Sequence, residues 1–471
     1  MKYNLLILLS LLSYFTLEAQ NNNTNTDGKG FRMEVNIPSQ KGKRLYLGQY
    51  FKDATYAIDS AYLSADGKAT LSLPNRPEQG QYFLYIKPSF QLDLLIGENQ
   101  NDIRLYIDET DFSKSTVSGS KDTELLWKYL GEVQKFDADI NETEEQLSAS
   151  DITEQTRSEL NTQLKLLEEK KRNFTNASII KHNKEWFGIF IKGLESITLP
   201  YPNPKDEKEY IKNKEYGKDH YFDNINLTDP RFWRTNYFVL HINTYMRQWV
   251  DQIPDSLAAA ASRLVAKTKS NEFCFKEMLS ELTNESIKSN IMGDENIWAR
   301  LYEDYIAKKN VSWIDSTKYS ELGRMYEIIK HNRLGMKAHS LTLKTMEGKI
   351  INTNGIKAEY TILYFYDPNC THCQTETPKL HNELYKKYKD KGVEIVAINI
   401  GSNKEEWERF VNNNKLNDWI NCSDFDHKSS YWMYYDTSGI PSVFVLNKDK
   451  IIMAKKINEE SLERFFNYQY K

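Results

Sequence analysis

The sequence predicts a multidomain chain: a β-rich sandwich-like domain, an all-α middle domain and a C-terminal α/β domain. Three observations carry this reading. Short runs of alternating apolar and polar residues fill the stretch before about residue 118, the helical period takes over from Lys121 to Asn332 while Gly becomes scarce, and strand and helix signals alternate from Arg333 onward. At 471 residues the chain is also too long for one ordinary core. The boundaries read as 1–20, 21–118, 119–332 and 333–471.

Met1-Lys2, an apolar run from Leu5 to Leu17 and then Glu18-Ala19-Gln20 have the layout of a secretory signal peptide, with cleavage expected near Ala19 or Gln20. The apolar run is shorter than the roughly 20 residues that a membrane span needs. No cysteine follows it to carry a lipid anchor, and no other stretch matches it. The expectation is an exported mature chain without a transmembrane segment.

The first domain is read from Phe31-Arg32-Met33-Glu34-Val35-Asn36-Ile37, Arg44-Leu45-Tyr46-Leu47 and Tyr82-Phe83-Leu84-Tyr85-Ile86, whose period of two suits half-buried strands. Asp66-Gly67 between two such runs predicts a hairpin turn, and the whole a small antiparallel sandwich or barrel. In the middle domain, Thr123 to Ser148 and Ile152 to Ile180 are rich in Glu, Lys, Gln and Leu, which predicts a long antiparallel helical hairpin. Pro230 and Pro254 are each placed to start a helix. Trp186, Phe187, Phe190, Phe232, Trp233, Tyr237 and Phe238 are read as core anchors.

In the last domain, Leu341 to Ile351 predicts a hairpin turning at Glu347-Gly348, and Thr361 to Tyr366 and Val393 to Ile400 predict buried strands. Helices are expected from Cys370 to about Lys389, over Lys404 to Asn412 and over Glu459 to Tyr468. A short run at Trp419 to Cys422 and a hairpin of Ser442 to Leu446 with Ile451 to Ala454 complete the pattern, whose central strands should be parallel. The net charge of −4, from 62 basic and 66 acidic residues interleaved along helices, argues against a dedicated nucleic-acid surface.

Chemistry concentrates at Cys370-Thr371-His372-Cys373, placed between a buried strand and a helix. A helix N-terminus offers unpaired N–H groups and a partial positive charge, and both stabilise a thiolate. Cys370 is therefore the expected nucleophile, and Cys373, one turn on, can displace a substrate from the mixed disulfide. Zinc would need two further ligands at compatible spacing, and neither the isolated Cys274 and Cys422 nor His381 and His427 supply them. Cys274 and Cys422 are either bridged or two buried thiols. No cofactor is expected.

The C-terminal stretch resembles the exported thioredoxin-like oxidoreductases of the TlpA/ResA type. The resemblance rests on Cys370-Thr371-His372-Cys373 after a strand, on Glu376 and Pro378 in the following helix, and on Gly439-Ile440-Pro441 before Ser442-Val443-Phe444-Val445-Leu446. It implies a thioredoxin-like fold, a cis Pro441 that sets the Ile440 backbone beside the cysteines to receive an extended substrate strand, and Glu376 as a proton acceptor or donor for Cys373. The order of the three domains is similar to that of exported Bacteroidetes members. Two departures separate the chain from thioredoxin itself: Tyr364 stands where thioredoxin has a buried aspartate, and Asn369 where it has a tryptophan. Thr371 and His372 fall between the cysteines, where a histidine stabilises the Cys370 thiolate and bears on redox poise.

The expected function is thus a thiol-disulfide reductase or interchange protein acting on protein thiols and disulfides, recharged by an envelope electron donor. Two alternatives stand beside it. A peroxiredoxin-like thiol peroxidase would carry Thr three residues before its cysteine, where this chain has Asp367. An envelope binding protein with an accessory redox domain would use the two N-terminal domains to select substrates, dock to the envelope or form a homodimer.

Overall fold

The computed structural model describes residues 30–150, 152–308 and 311–471. The expected signal peptide at 1–20 and the polar stretch after it lie outside the described residues. Two compact units emerge: the described residues up to Trp249 with Thr268–Cys274, and Val250–Lys267 with Phe275–Lys471. The α/β pattern from residue 333 lies wholly inside the second unit.

The first unit begins with eight strands, β1 (Phe31–Asn36), β2 (Arg44–Phe51), β3 (Ala54–Tyr62), β4 (Lys68–Leu73), β5 (Gly80–Ile86), β6 (Phe90–Ile96), β7 (Asp102–Tyr106) and β8 (Thr116–Ser118). They form two four-stranded sheets in the orders β4-β1-β7-β8 and β3-β2-β5-β6. The alternation in β1 becomes burial of Phe31, Met33 and Val35 while Arg32 faces out. Two expectations need correction. The turn at Asp66-Gly67 is closed by the Gly67 N–H on the Ser64 carbonyl at 2.9 Å, yet it does not join a paired hairpin. β3 pairs with β2 and β4 with β1, so the turn carries the chain from one sheet to the other. Nor is the region wholly antiparallel, because β1 runs parallel to β7.

Helices α1 (Lys121–Ser148) and α2 (Glu154–Lys181) form the expected antiparallel hairpin. Ser120 Oγ caps α1 by accepting the Thr123 N–H at 3.2 Å, and Tyr129 stacks on Phe174 across the pair at 5.7 Å between ring centres. The short helices α3 (Trp186–Leu194), α4 (Glu207–His220) and α5 (Phe238–Thr244) follow, and Pro230 opens a single 3-10 turn, Pro230–Arg234. All seven aromatic residues read as core anchors are buried.

Helices α6 (Pro254–Lys267), α7 (Glu272–Lys288), α8 (Glu295–Leu301) and α9 (Ser316–Ile329) lead to β9 (Thr342–Thr345), β10 (Ile350–Asn352) and β11 (Tyr360–Tyr366). After β11 come α10 (Thr371–Lys379), a π-helical turn Leu380–Tyr385, α11 (Lys386–Tyr388), β12 (Val393–Asn399), α12 (Lys404–Asn413) and β13 (Ile420–Ser423). The chain closes with α13 (Tyr431–Tyr434), β14 (Ser442–Asn447), β15 (Ile452–Lys455) and α14 (Glu459–Gln469). The seven strands make one mixed sheet, β10-β9-β13-β12-β11-β14-β15, in which β11, β12 and β13 are parallel. Both faces of β11 are covered: Ile362, Tyr364 and Tyr366 enter one core with Cys373 and Trp407, Leu363 and Phe365 the other with Cys422 and Phe444. Burial on both sides is why this strand reads as an unbroken apolar run.

Candidate active site

Strand β11 ends at Tyr366, and the turn Asp367-Pro368-Asn369 delivers Cys370 to the N-cap of α10. The helix begins at Thr371 with Cys370 at its N-cap, where the side chain accepts no cap hydrogen bond, while Cys373, one turn in, is buried in the core. Cys370 is half-buried and Cys373 fully buried, and they carry no disulfide. Burial pushes the Cys373 thiol up to about 12, with Cys370 adding to the rise and a hydrogen bond from the Asp367 backbone opposing it. The pair is thus asymmetric, with one sulfur at the surface and a second held protonated behind it.

The Ile440–Pro441 peptide is cis, and Cys370 Sγ lies 3.7 Å from the Ile440 carbonyl oxygen. Two contacts shape this segment: Asp436 Oδ1 accepts from the Ser438 hydroxyl at 2.6 Å, and the Ser442 hydroxyl donates to the Asp436 carbonyl at 2.8 Å. Burial raises the Asp436 carboxyl, but its contacts with Lys456 and Ser438 outweigh burial and hold it below the usual range.

A groove of about 470 Å³ opens beside the pair, with Tyr364, His372, Glu376, Ile440, Pro441 and Lys456 in its lining. Of the residues singled out from sequence, His372, Glu376, Ile440 and Pro441 therefore meet at one groove. Glu376 also lies 3.6 Å from Lys379 in an ion pair. Thr371 is exposed, and its carbonyl accepts from the Thr375 hydroxyl at 3.2 Å. Pro378 sits inside α10, and the helix widens into its π-helical turn two residues later; proline lacks the N–H that a regular turn uses.

Sequence reading missed several lining and supporting groups. Tyr364 was noted only as a departure, yet strand alternation from Tyr366 puts it on the Cys373 side, where its hydroxyl lies 2.9 Å from Thr377 Oγ1. Lys456, Glu459 and Leu462 line the groove without any local signal, since the β14–β15 hairpin brings them there. Of the histidines weighed as metal ligands, His381 is buried against Asp418 at 2.8 Å and His427 is exposed. Among the described residues no three His, Cys, Asp or Glu side chains converge as a metal site would require.

Residues 358–452 match the thioredoxin-like family, and residues 31–126 match a domain of unknown function, DUF4369. The thiol-disulfide oxidoreductase ResA of Bacillus cereus is 30% identical over 139 residues, which are 30% of this chain and 78% of that protein. The chain belongs to the thioredoxin-like thiol-disulfide oxidoreductases of the TlpA/ResA type. As a member of that family it is an oxidoreductase. Among solved structures, a domain of a possible thiol-disulfide isomerase from Cytophaga hutchinsonii is 38% identical, covering 29% of this chain and 92% of that one, with a TM-score of 0.28. A thioredoxin-like protein from Bacteroides caccae is 20% identical, covering 58% and 98%, with a TM-score of 0.42. Among the described residues of this TlpA/ResA-type chain, no helix is long and apolar enough to cross a membrane.

Proposed function

We propose that the chain is an exported thiol-disulfide reductase or interchange enzyme that works on protein disulfides through Cys370 and Cys373. The observation that carries the proposal is the asymmetry of the pair: a half-buried sulfur at a helix N-cap, a buried one a turn behind it, and the Ile440 carbonyl 3.7 Å from the first. Cys370, as thiolate, attacks one sulfur of a substrate disulfide, which breaks that S–S bond and releases one substrate thiol after it takes up a proton. Cys373 then loses its proton, with Glu376 as the acceptor through water, and attacks Cys370. The second substrate thiol leaves, the Cys370–Cys373 disulfide forms, and two electrons have passed to the substrate. An envelope electron donor returns them.

Export is supported by the apolar run after Met1-Lys2. The periplasm is the compartment proposed, with cleavage near Ala19 or Gln20. The domains at 21–118 and 119–332 are proposed to select substrates or to mediate self-association.

An insulin-reduction assay tests the proposal. The wild-type protein with a thiol donor precipitates insulin chains, and Cys370→Ser does not. Activity that survives Cys370→Ser removes the proposed mechanism.

A further inference from the structure

The turn that delivers Cys370 is organised by an acidic side chain for which the exchange steps above have no use. Asp367 Oδ1 accepts the Asn369 N–H at 2.8 Å, and the Asp367 carbonyl accepts the Cys370 N–H at 3.0 Å. Space has been kept for this carboxylate: a β-carbon at Gly401 would lie 2.7 Å from Asp367 Oδ1. The Gly401 backbone is braced in turn by Asn399, whose Oδ1 accepts from its N–H at 3.1 Å and whose Nδ2 donates to its carbonyl at 3.0 Å. A second carboxylate approaches from the first turn of α12, where Glu406 Oε2 accepts from Asn369 Nδ2 at 2.6 Å. Two acids thus bear on the residue immediately before the nucleophile. Among the described residues no Lys or Arg forms an ion pair with either.

Fixed negative charge acts unequally on the two redox states. The disulfide is neutral, whereas a thiolate formed in the reduced pair is charged, so carboxylates close to it raise the free energy of the reduced form alone. The Asp367 charge is felt at Cys373 in the same direction. We propose that Asp367, with Glu406 behind it, is a positioning and tuning residue that destabilises the thiolate and makes the Cys370–Cys373 disulfide harder to reduce, biasing the enzyme toward donating electrons.

The inference rests on the proposed redox role of Cys370 and Cys373, and one experiment separates the two. Full-chain protein is equilibrated in glutathione buffers of stepped ratio, quenched with acid and alkylated, and the Cys370–Cys373 peptide is weighed. Asp367→Asn keeps the oxygen that accepts the Asn369 N–H and removes only the charge. The equilibrium constant for reduction of the disulfide by glutathione should rise about three- to tenfold, tenfold being about 30 mV for this two-electron couple. Glu406→Gln should move it the same way by less. Constants within twofold of wild type in both variants, or shifts toward the disulfide, overturn the inference. If Asp367→Asn does not fold by circular dichroism, Glu406→Gln decides alone. A wild-type peptide with no reversible dithiol–disulfide transition refutes the redox role and this inference with it.

Discussion

Cys370 Sγ and the Ile440 carbonyl oxygen stand 3.7 Å apart, although 70 positions separate them in the chain. Strand β11 and α10 bring one, the segment before β14 brings the other, and the pairing of β11 with β14 holds both at one end of the sheet. The sulfur proposed to meet substrate is therefore the one placed next to the Ile440 backbone, while Cys373 stays buried behind it.

That arrangement predicts selective alkylation. At pH 8 a thiol whose pKa is pushed up to about 12 by burial, as for both Cys373 and Cys422, is thiolate in only about one molecule in 10⁴. Iodoacetamide on the reduced, native protein should modify Cys370 with a preference on the order of 100-fold over Cys373 and Cys422. Peptide mapping by mass spectrometry reads the result, and equal labelling of Cys370 and Cys373 contradicts it.

Removing the Tyr364 hydroxyl tests the support beneath the pair. Tyr364→Phe leaves Thr377 Oγ1 without its 2.9 Å partner in a buried place. The expected cost is about 1 kcal/mol in the second unit, read as a lower urea midpoint with an unchanged m-value.

The edge of the sheet carries an ion pair between a buried lysine and a half-buried glutamate. Lys455 Nζ, 5% exposed, lies 3.2 Å from Glu295 and 2.8 Å from Asn332 Oδ1, so β15 is tied to α8 within the second unit. Burial lowers the Lys455 pKa against the raising influence of Glu295. Lys455→Met should destabilise this unit by about 3 kcal/mol, because Glu295 loses its partner. A double variant that adds Glu295→Gln should recover part of the loss.

In the first unit the charge question concerns Asp93, buried and hydrogen-bonded by Tyr50 at 3.0 Å and Gln81 at 3.1 Å. Burial raises it from 3.8 to about 6 against those hydrogen bonds, which lower it. Between these values the folded chain keeps a proton that the unfolded chain has released. The stability contribution is therefore fully present below 3.8 and is lost as pH rises through about 6. The loss is on the order of 2–3 kcal/mol. Asp93→Asn should abolish this slope, seen as urea midpoints of wild type and variant that converge or diverge with pH between 4 and 7.

Much of the second unit was legible because its signals are local. An unbroken apolar run marks β11 as covered on both faces, Gly348 at φ 85° supplies the turn expected between β9 and β10, and the cysteine motif marks the start of α10. What the sequence did not show is non-local. A turn at Asp66-Gly67 looks the same whether its strands pair with each other or, as here, with β2 and β1. The parallel pairing of β1 with β7 joins segments about 70 residues apart. Lys455 would read as solvent-facing, but a register shift at Val445/Leu446 breaks the alternation of β15 and turns both Ala454 and Lys455 inward. Asp367 and Glu406 gave no sign of acting together, since only the meeting of the β11–α10 turn with α12 brings them to Asn369.

The central claim is that Cys370 attacks protein disulfides and Cys373 resolves the product, and covalent trapping tests it most directly. Cys373→Ser, expressed as the full 471-residue chain in an envelope-bearing host and quenched with acid, should accumulate mixed disulfides joining Cys370 to other proteins, with Cys370→Ser giving none. Mass spectrometry of the linked peptides reads the junction. Adducts through Cys370 that vanish on reduction are the predicted result; a Cys373→Ser protein that stays free of adducts, or forms them through another cysteine, contradicts the account.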